Sequence, residues 1–245
     1  MRLLRPWLLS IAGCLLLATS AGAAALGTLD LGMSIGDHPE WAWTVTRAGT
    51  PDGTGLYNVA DGSFTPAGYP DSYTISWSGV QFDTDPFVSG VWSITNNSTS
   101  TQVFTLTVNT PVLALPSTLM YGSSAISVSD ADGSGGATLG RVGGLALYYG
   151  THDITTNTLA LYDGLYPGLS TGLLGTTSDN QTLGVPLGSI PGPAVIGFIG
   201  ISHTFSLTAG DRATFNSIYS VVVPEPGTGL LLLSGLGVLA LRRRA

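Results

Sequence analysis

Asp130, Asp132 and Ser134 stand at alternate positions of DADGSGGATLGR (130–141), and Gly135 follows them. In a twelve-residue calcium loop, oxygen-bearing side chains at positions one, three and five and a glycine at six wrap the chain around a hard cation. The twelfth position of such a loop should be a bidentate glutamate. Here it is Arg141, and no helical period flanks the run. Two readings stand side by side: a Gly-rich β-turn, and a weak calcium site held by Asp130, Asp132 and Ser134. No other cofactor is expected.

Trp41 and Trp43 lie two apart in WAWTVTR. Displayed on an outer sheet face they would stack against sugar rings; turned inward they would fill a core, as large aromatics in strands usually do. GLSTG (Gly168–Gly172) matches the G-x-S-x-G pattern of a nucleophile elbow, which needs a strand before Ser170 and a helix after it. The surrounding YDGLYPGLSTGLLGTTSD reads as loop on both sides. His38, His152 and His203 are scattered without zinc-ligand spacing. Thirteen aspartates allow many carboxylate pairs, but nothing in the spacing selects one. No catalytic residue is assigned, and the chain is read as non-enzymatic. A carbohydrate-binding module and, behind it, a polysaccharide hydrolase are the alternatives.

The elements that would position these groups are strands. Apolar residues recur with period two, the signature of a half-buried strand. Tyr73, Ile75 and Trp77 share one face of SYTISWS; Val88, Trp92 and Ile94 share one face of VSGVWSIT; Phe104, Leu106 and Val108 share one face of QVFTLTVN. AISVS, LALYYG, TLALYDG, AVIGFIGI, HTFSLTAG and ATFNSIYSVVV continue the pattern. Between them PDGTG, DGSFTPAG, NNSTST, DADGSGG and AGDR supply residues that accept positive φ or cap their own backbone. The pattern predicts an all-β fold, an antiparallel β-sandwich that is jelly-roll-like or immunoglobulin-like, over residues 24–222.

Charge narrows the partners. Between residues 24 and 223 fourteen acidic residues face only Arg47, Arg141 and Arg212, with no lysine. Such a surface repels phosphate backbones, so nucleic acid is excluded as a partner.

Both ends read as targeting segments. Arg2 and Arg5, the apolar run WLLSIAGCLLLATS and the small residues AGAAA have the three-part layout of a secretory signal peptide (1–23), with an uncleaved N-terminal helix as the alternative. Cys14, the only cysteine, falls inside it, so the mature chain forms no disulfide. At the other end Pro224 and Pro226 hold the backbone extended around Glu225. Residues 226–241 would make roughly 24 Å of helix, short of the roughly 30 Å hydrocarbon core. Arg242, Arg243 and Arg244 favour the cytoplasmic side, which leaves the body outside.

The sequence VPEP, an apolar helix and a basic terminus (223–245) together resemble the PEP-CTERM sorting signal of Gram-negative bacteria. The resemblance matches Pro224, Glu225 and Pro226 to the recognition motif and Arg242, Arg243 and Arg244 to the basic membrane stop. It implies processing by exosortase, a membrane-embedded cysteine protease-transpeptidase. It also implies export, transient anchoring in the inner membrane through the C-terminal helix, and then association with the cell envelope, the extracellular matrix of a biofilm, or exopolysaccharide.

Overall fold

The computed structural model describes residues 27–83, 86–154, 156–185 and 190–223. The expected signal peptide (1–23), Pro224, Glu225, Pro226, the expected helix (227–241) and Arg242, Arg243 and Arg244 lie outside these residues. Among the described residues no helix is long and apolar enough to cross a membrane.

Two antiparallel sheets build the molecule. Strands are numbered in chain order. One sheet runs β12 (Thr156–Leu161), β11 (Tyr148–His152), β16 (Phe198–Leu207), β8 (Gln102–Pro111), β1 (Thr28–Ile35) and β2 (Trp43–Ala48). The short β10 (Thr138–Gly140) pairs with β16 and with β13 (Leu169–Ser170). The second sheet runs β14 (Thr176–Leu183), β9 (Thr118–Ser129), β17 (Arg212–Val222), β7 (Phe87–Asn96), β6 (Tyr73–Asp83), β4 (Leu56–Val59) and β3 (Thr50–Pro51). There β15 (Ile190–Gly192) pairs with β9 and β5 (Gly62–Phe64) with β6.

The period-two faces define the core. In the first sheet Leu31, Val108 and Ile201 line up across β1, β8 and β16. The next inward row is Met33, Leu106 and His203, and the one after it Ile35, Phe104 and Phe205. The second sheet answers with Ile126, Phe215, Trp92 and Trp77 in one row across β9, β17, β7 and β6. All of these side chains are buried. Each buried aliphatic or phenyl group contributes roughly 1.5–3 kcal/mol relative to exposure. Phe215 lies 4.8 Å from Phe205 between ring centroids, so the two inner faces interdigitate.

The fold is thus the expected antiparallel sandwich. Its seventeen strands among the described residues exceed the roughly seven to nine of an immunoglobulin domain and the eight of a jelly roll. AVIGFIGI and HTFSLTAG, read separately in the sequence, contribute to one continuous strand, β16. Trp41 ends a 3-10 turn (Pro39–Trp41), so β2 begins two residues later, at Trp43.

Candidate functional site

Four connections meet at one end of the sandwich: β7–β8, β9–β10, β13–β14 and β16–β17. Backbone bonds join them. Asn96 N–H donates to Asp211 O at 2.9 Å, Gly210 N–H to Asn96 O at 2.8 Å, and Asp130 N–H to Gly175 O at 3.1 Å. Thr138 N–H reaches Thr208 Oγ1 at 2.8 Å.

Within this framework the carboxylates of Asp130, Asp132 and Asp211 each place an oxygen within 4.8 Å of the others. Asp130 Oδ1 accepts Gly133 N–H at 2.8 Å and Oδ2 accepts Leu174 N–H at 2.9 Å. The Leu174 bond is the main reason its carboxyl is held below the usual range. Asp132, exposed to solvent, accepts both the N–H and the hydroxyl of Ser134 at 2.7 Å. Ser134 therefore spends its proton on Asp132, and the third oxygen donor in the cluster is Asp211.

Asp211 is 0% exposed. Its Oδ2 accepts the Thr208 hydroxyl, whereas its buried Oδ1 has no hydrogen-bond partner. Burial pushes its carboxyl up and the neighbouring Asp130 and Asp132 add to the shift, while the Thr208 bond and the nearby Ala131 N–H oppose it. Gly210, at φ 73°, lets Asp132 come this close: a Cβ there would sit 2.1 Å from Asp132 Oδ2. No spacing rule links Asp211 to a loop that ends seventy residues earlier; only the β16–β17 turn brings it there.

The two tryptophans are half-buried and packed against the core. Trp43 stacks on Phe64 at 4.5 Å and lies 6.0 Å from Trp77. Trp41 has His38 stacked on its ring at 3.8 Å and Tyr69, 44% exposed, at 6.2 Å. A nearby surface groove of about 370 Å³ is lined by Thr46, Arg47, Asp61, Ser63 and Trp77. Trp77 is only 4% exposed and lies under the Arg47 guanidinium at 5.3 Å, so the groove offers a sugar no open aromatic face.

The remaining motifs are structural. Ser170 ends the two-residue β13, and the described chain after it turns into β14 instead of a helix, so no nucleophile elbow forms. His203 and His152 are buried, and burial lowers the basicity of both, that of His203 to about 3.

The last strand among the described residues, β17, stops at Val222, with one residue to spare before Pro224. The family model described as the PEP-CTERM protein-sorting motif matches residues 222–245. The chain carries this sorting signal, which implies an exported protein, transiently anchored in the membrane and processed by exosortase. No curated protein matches the chain. Among solved structures, the adhesin domain of Epf from Streptococcus pyogenes is similar at 13% identity and a TM-score of 0.30, over 80% of this chain. The chain spans 60% of the length of that structure.

Proposed function

We propose that this protein is a non-enzymatic surface or matrix component, delivered by its tail and retained at the cell envelope or in exopolysaccharide. The observation that carries the reading is the sorting motif at 222–245, which starts where β17 ends. A cut within or after the Pro-Glu-Pro clip would leave every ladder bond of β17 in place. In support of a non-enzymatic role, the two buried histidines are tied to core partners instead of facing a cleft. In the Asp130–Asp132–Asp211 cluster, Asp211 is fully buried, so no glycosidic bond could come between these carboxylates as hydrolysis requires.

Intact-mass measurement of the protein from an exosortase-bearing Gram-negative host tests this reading. The expected mass lacks Arg242, Arg243 and Arg244 and begins near residue 24. A mature protein that keeps all three arginines would overturn it.

A carbohydrate-binding role is the second reading, favoured by the solvent-facing cluster of His38, Trp41 and Tyr69. A pull-down with the host's own exopolysaccharide separates the two. Retention that is lost in a folded Trp41→Ala protein supports binding through this cluster, and no retention supports a purely structural component.

A further inference from the structure

We propose that Asp130, Asp132 and Asp211 bind a calcium ion that fastens the β9–β10 loop to the β16–β17 turn. This does not depend on how the tail is processed.

Asp211 is the member of the cluster with a buried oxygen, Oδ1, that has no hydrogen-bond partner. A buried carboxylate oxygen without a donor forfeits its hydration with nothing in return, and such groups in folded proteins need an explanation. The unpartnered oxygen belongs to Asp211, whose carboxylate lies within 4.8 Å of two others. Like charges at that spacing repel strongly once partly withdrawn from water. A divalent cation resolves both problems at once. It gives Asp211 Oδ1 a partner and turns mutual repulsion into shared attraction.

The surroundings are already shaped for this. Backbone N–H groups and Ser134 fix the carboxylates of Asp130 and Asp132. Gly210 provides the clearance that lets Asp132 approach. Asp132 is exposed, so an ion can enter from solvent on its side while Asp211 lies at the buried end. Every donor is a carboxylate oxygen, which suits a hard cation and not zinc or copper. Three carboxylates supply between three and six of the roughly six to eight oxygens calcium takes, and water completes the shell. Magnesium holds its own waters and needs near-ideal octahedral geometry, so it should compete poorly. Two carboxylates on one loop, Asp132 exposed and Asp130 largely covered, would bind weakly; the fully buried third, from a different hairpin, is what makes the site.

The test uses the full chain in detergent, melted in chelator and then in calcium chloride across the roughly 10⁻⁴–10⁻³ M range where extracellular modules bind. The wild-type melting temperature should rise with calcium and much less with magnesium, as expected when a ligand binds only the folded state. Asp211→Asn keeps an acceptor for the Thr208 hydroxyl but removes the buried charge. In chelator it should melt at or above the wild-type temperature, and calcium should not shift it. If that variant fails to fold, Asp132→Asn, at an exposed position, should weaken calcium affinity at least tenfold by titration calorimetry. The proposal is overturned if wild-type protein melts at the same temperature in chelator and in calcium, or if Asp211→Asn or Asp132→Asn responds as wild type does.

Discussion

His203 Nε2, on one sheet, lies 3.1 Å from Ser217 Oγ, on the other. Leu147 O can only accept, so the 3.1 Å contact at Nδ1 fixes the proton there. Nε2 is then an acceptor, and Ser217 donates to it. The Ser217 oxygen in turn receives the Ser124 hydroxyl at 2.8 Å. A second inter-sheet contact joins His152 Nε2 to the Tyr219 hydroxyl at 2.8 Å. His203 is bonded at both ring nitrogens and His152 at Nε2 alone, its buried Nδ1 having no hydrogen-bond partner. Both sit as neutral rings inside an apolar sandwich, and this sets how the protein responds to acid.

The native state should lose stability below about pH 6.5. Burial lowers His203 to about 3, against about 6.5 in the unfolded chain. Between those values the unfolded chain takes up a proton that the native chain refuses. The stability is full above pH 6.5 and is lost as pH falls towards 3. His152, lowered by burial as well, acts in the same direction. Asp211 opposes both, because its raised basicity makes acid relieve a penalty that is present when it is charged. Urea denaturation at pH 7 and pH 4 should differ by on the order of 3 kcal/mol. His203→Gln should flatten that difference while costing about 1–3 kcal/mol at pH 7.

Gly150→Ala should destabilise the protein without touching any polar group. A Cβ at Gly150, on β11, would lie 2.3 Å from the Tyr219 ring. Tyr219 is wedged there by its bonds to His152 and to Thr158 at 2.9 Å and cannot swing away. Overpacking of this kind costs about 1–3 kcal/mol. Thermal melts of the variant should show a lower midpoint with an unchanged far-ultraviolet spectrum.

Truncating the two tryptophans should separate packing from display. Trp43→Ala removes a ring enclosed by Phe64 and Trp77 and should cost about 2 kcal/mol or more, below the roughly 3–5 kcal/mol of a fully buried aromatic. Trp41→Ala, in a 3-10 turn beside exposed Tyr69, should cost clearly less. Equal losses from the two changes, measured by urea denaturation, would contradict this assignment.

The alternation of Phe104, Leu106 and Val108 is legible in the sequence because both faces of β8 have distinct surroundings. So is that of Tyr73, Ile75 and Trp77. TLDLGMSI of β1 alternates as well, through Leu29, Leu31, Met33 and Ile35, but in the sequence it follows closely on an apolar, alanine-rich run and Gly32 interrupts its polar face. β14 (TTSDNQTL) is invisible to periodicity: it is an edge strand held by its backbone ladder to β9, with no apolar face to bury. The acidic loop was visible as Asp130 and Asp132. Its completion by Asp211 was not, since proximity across two hairpins leaves no trace in residue spacing. That Trp43 packs inward follows from its partners Phe64 and Trp77, which lie far from it along the chain.

β17 is hydrogen-bonded along its length to β9 on one side and β7 on the other. Without it the second sheet falls into two halves with raw facing edges. A growing polypeptide therefore cannot finish its sandwich until almost the last residue of β17, Val222, is free to pair. The strand that completes the sheet and the matched sorting segment are neighbours in the chain, so closing the sandwich and presenting that segment draw on the same last stretch of sequence.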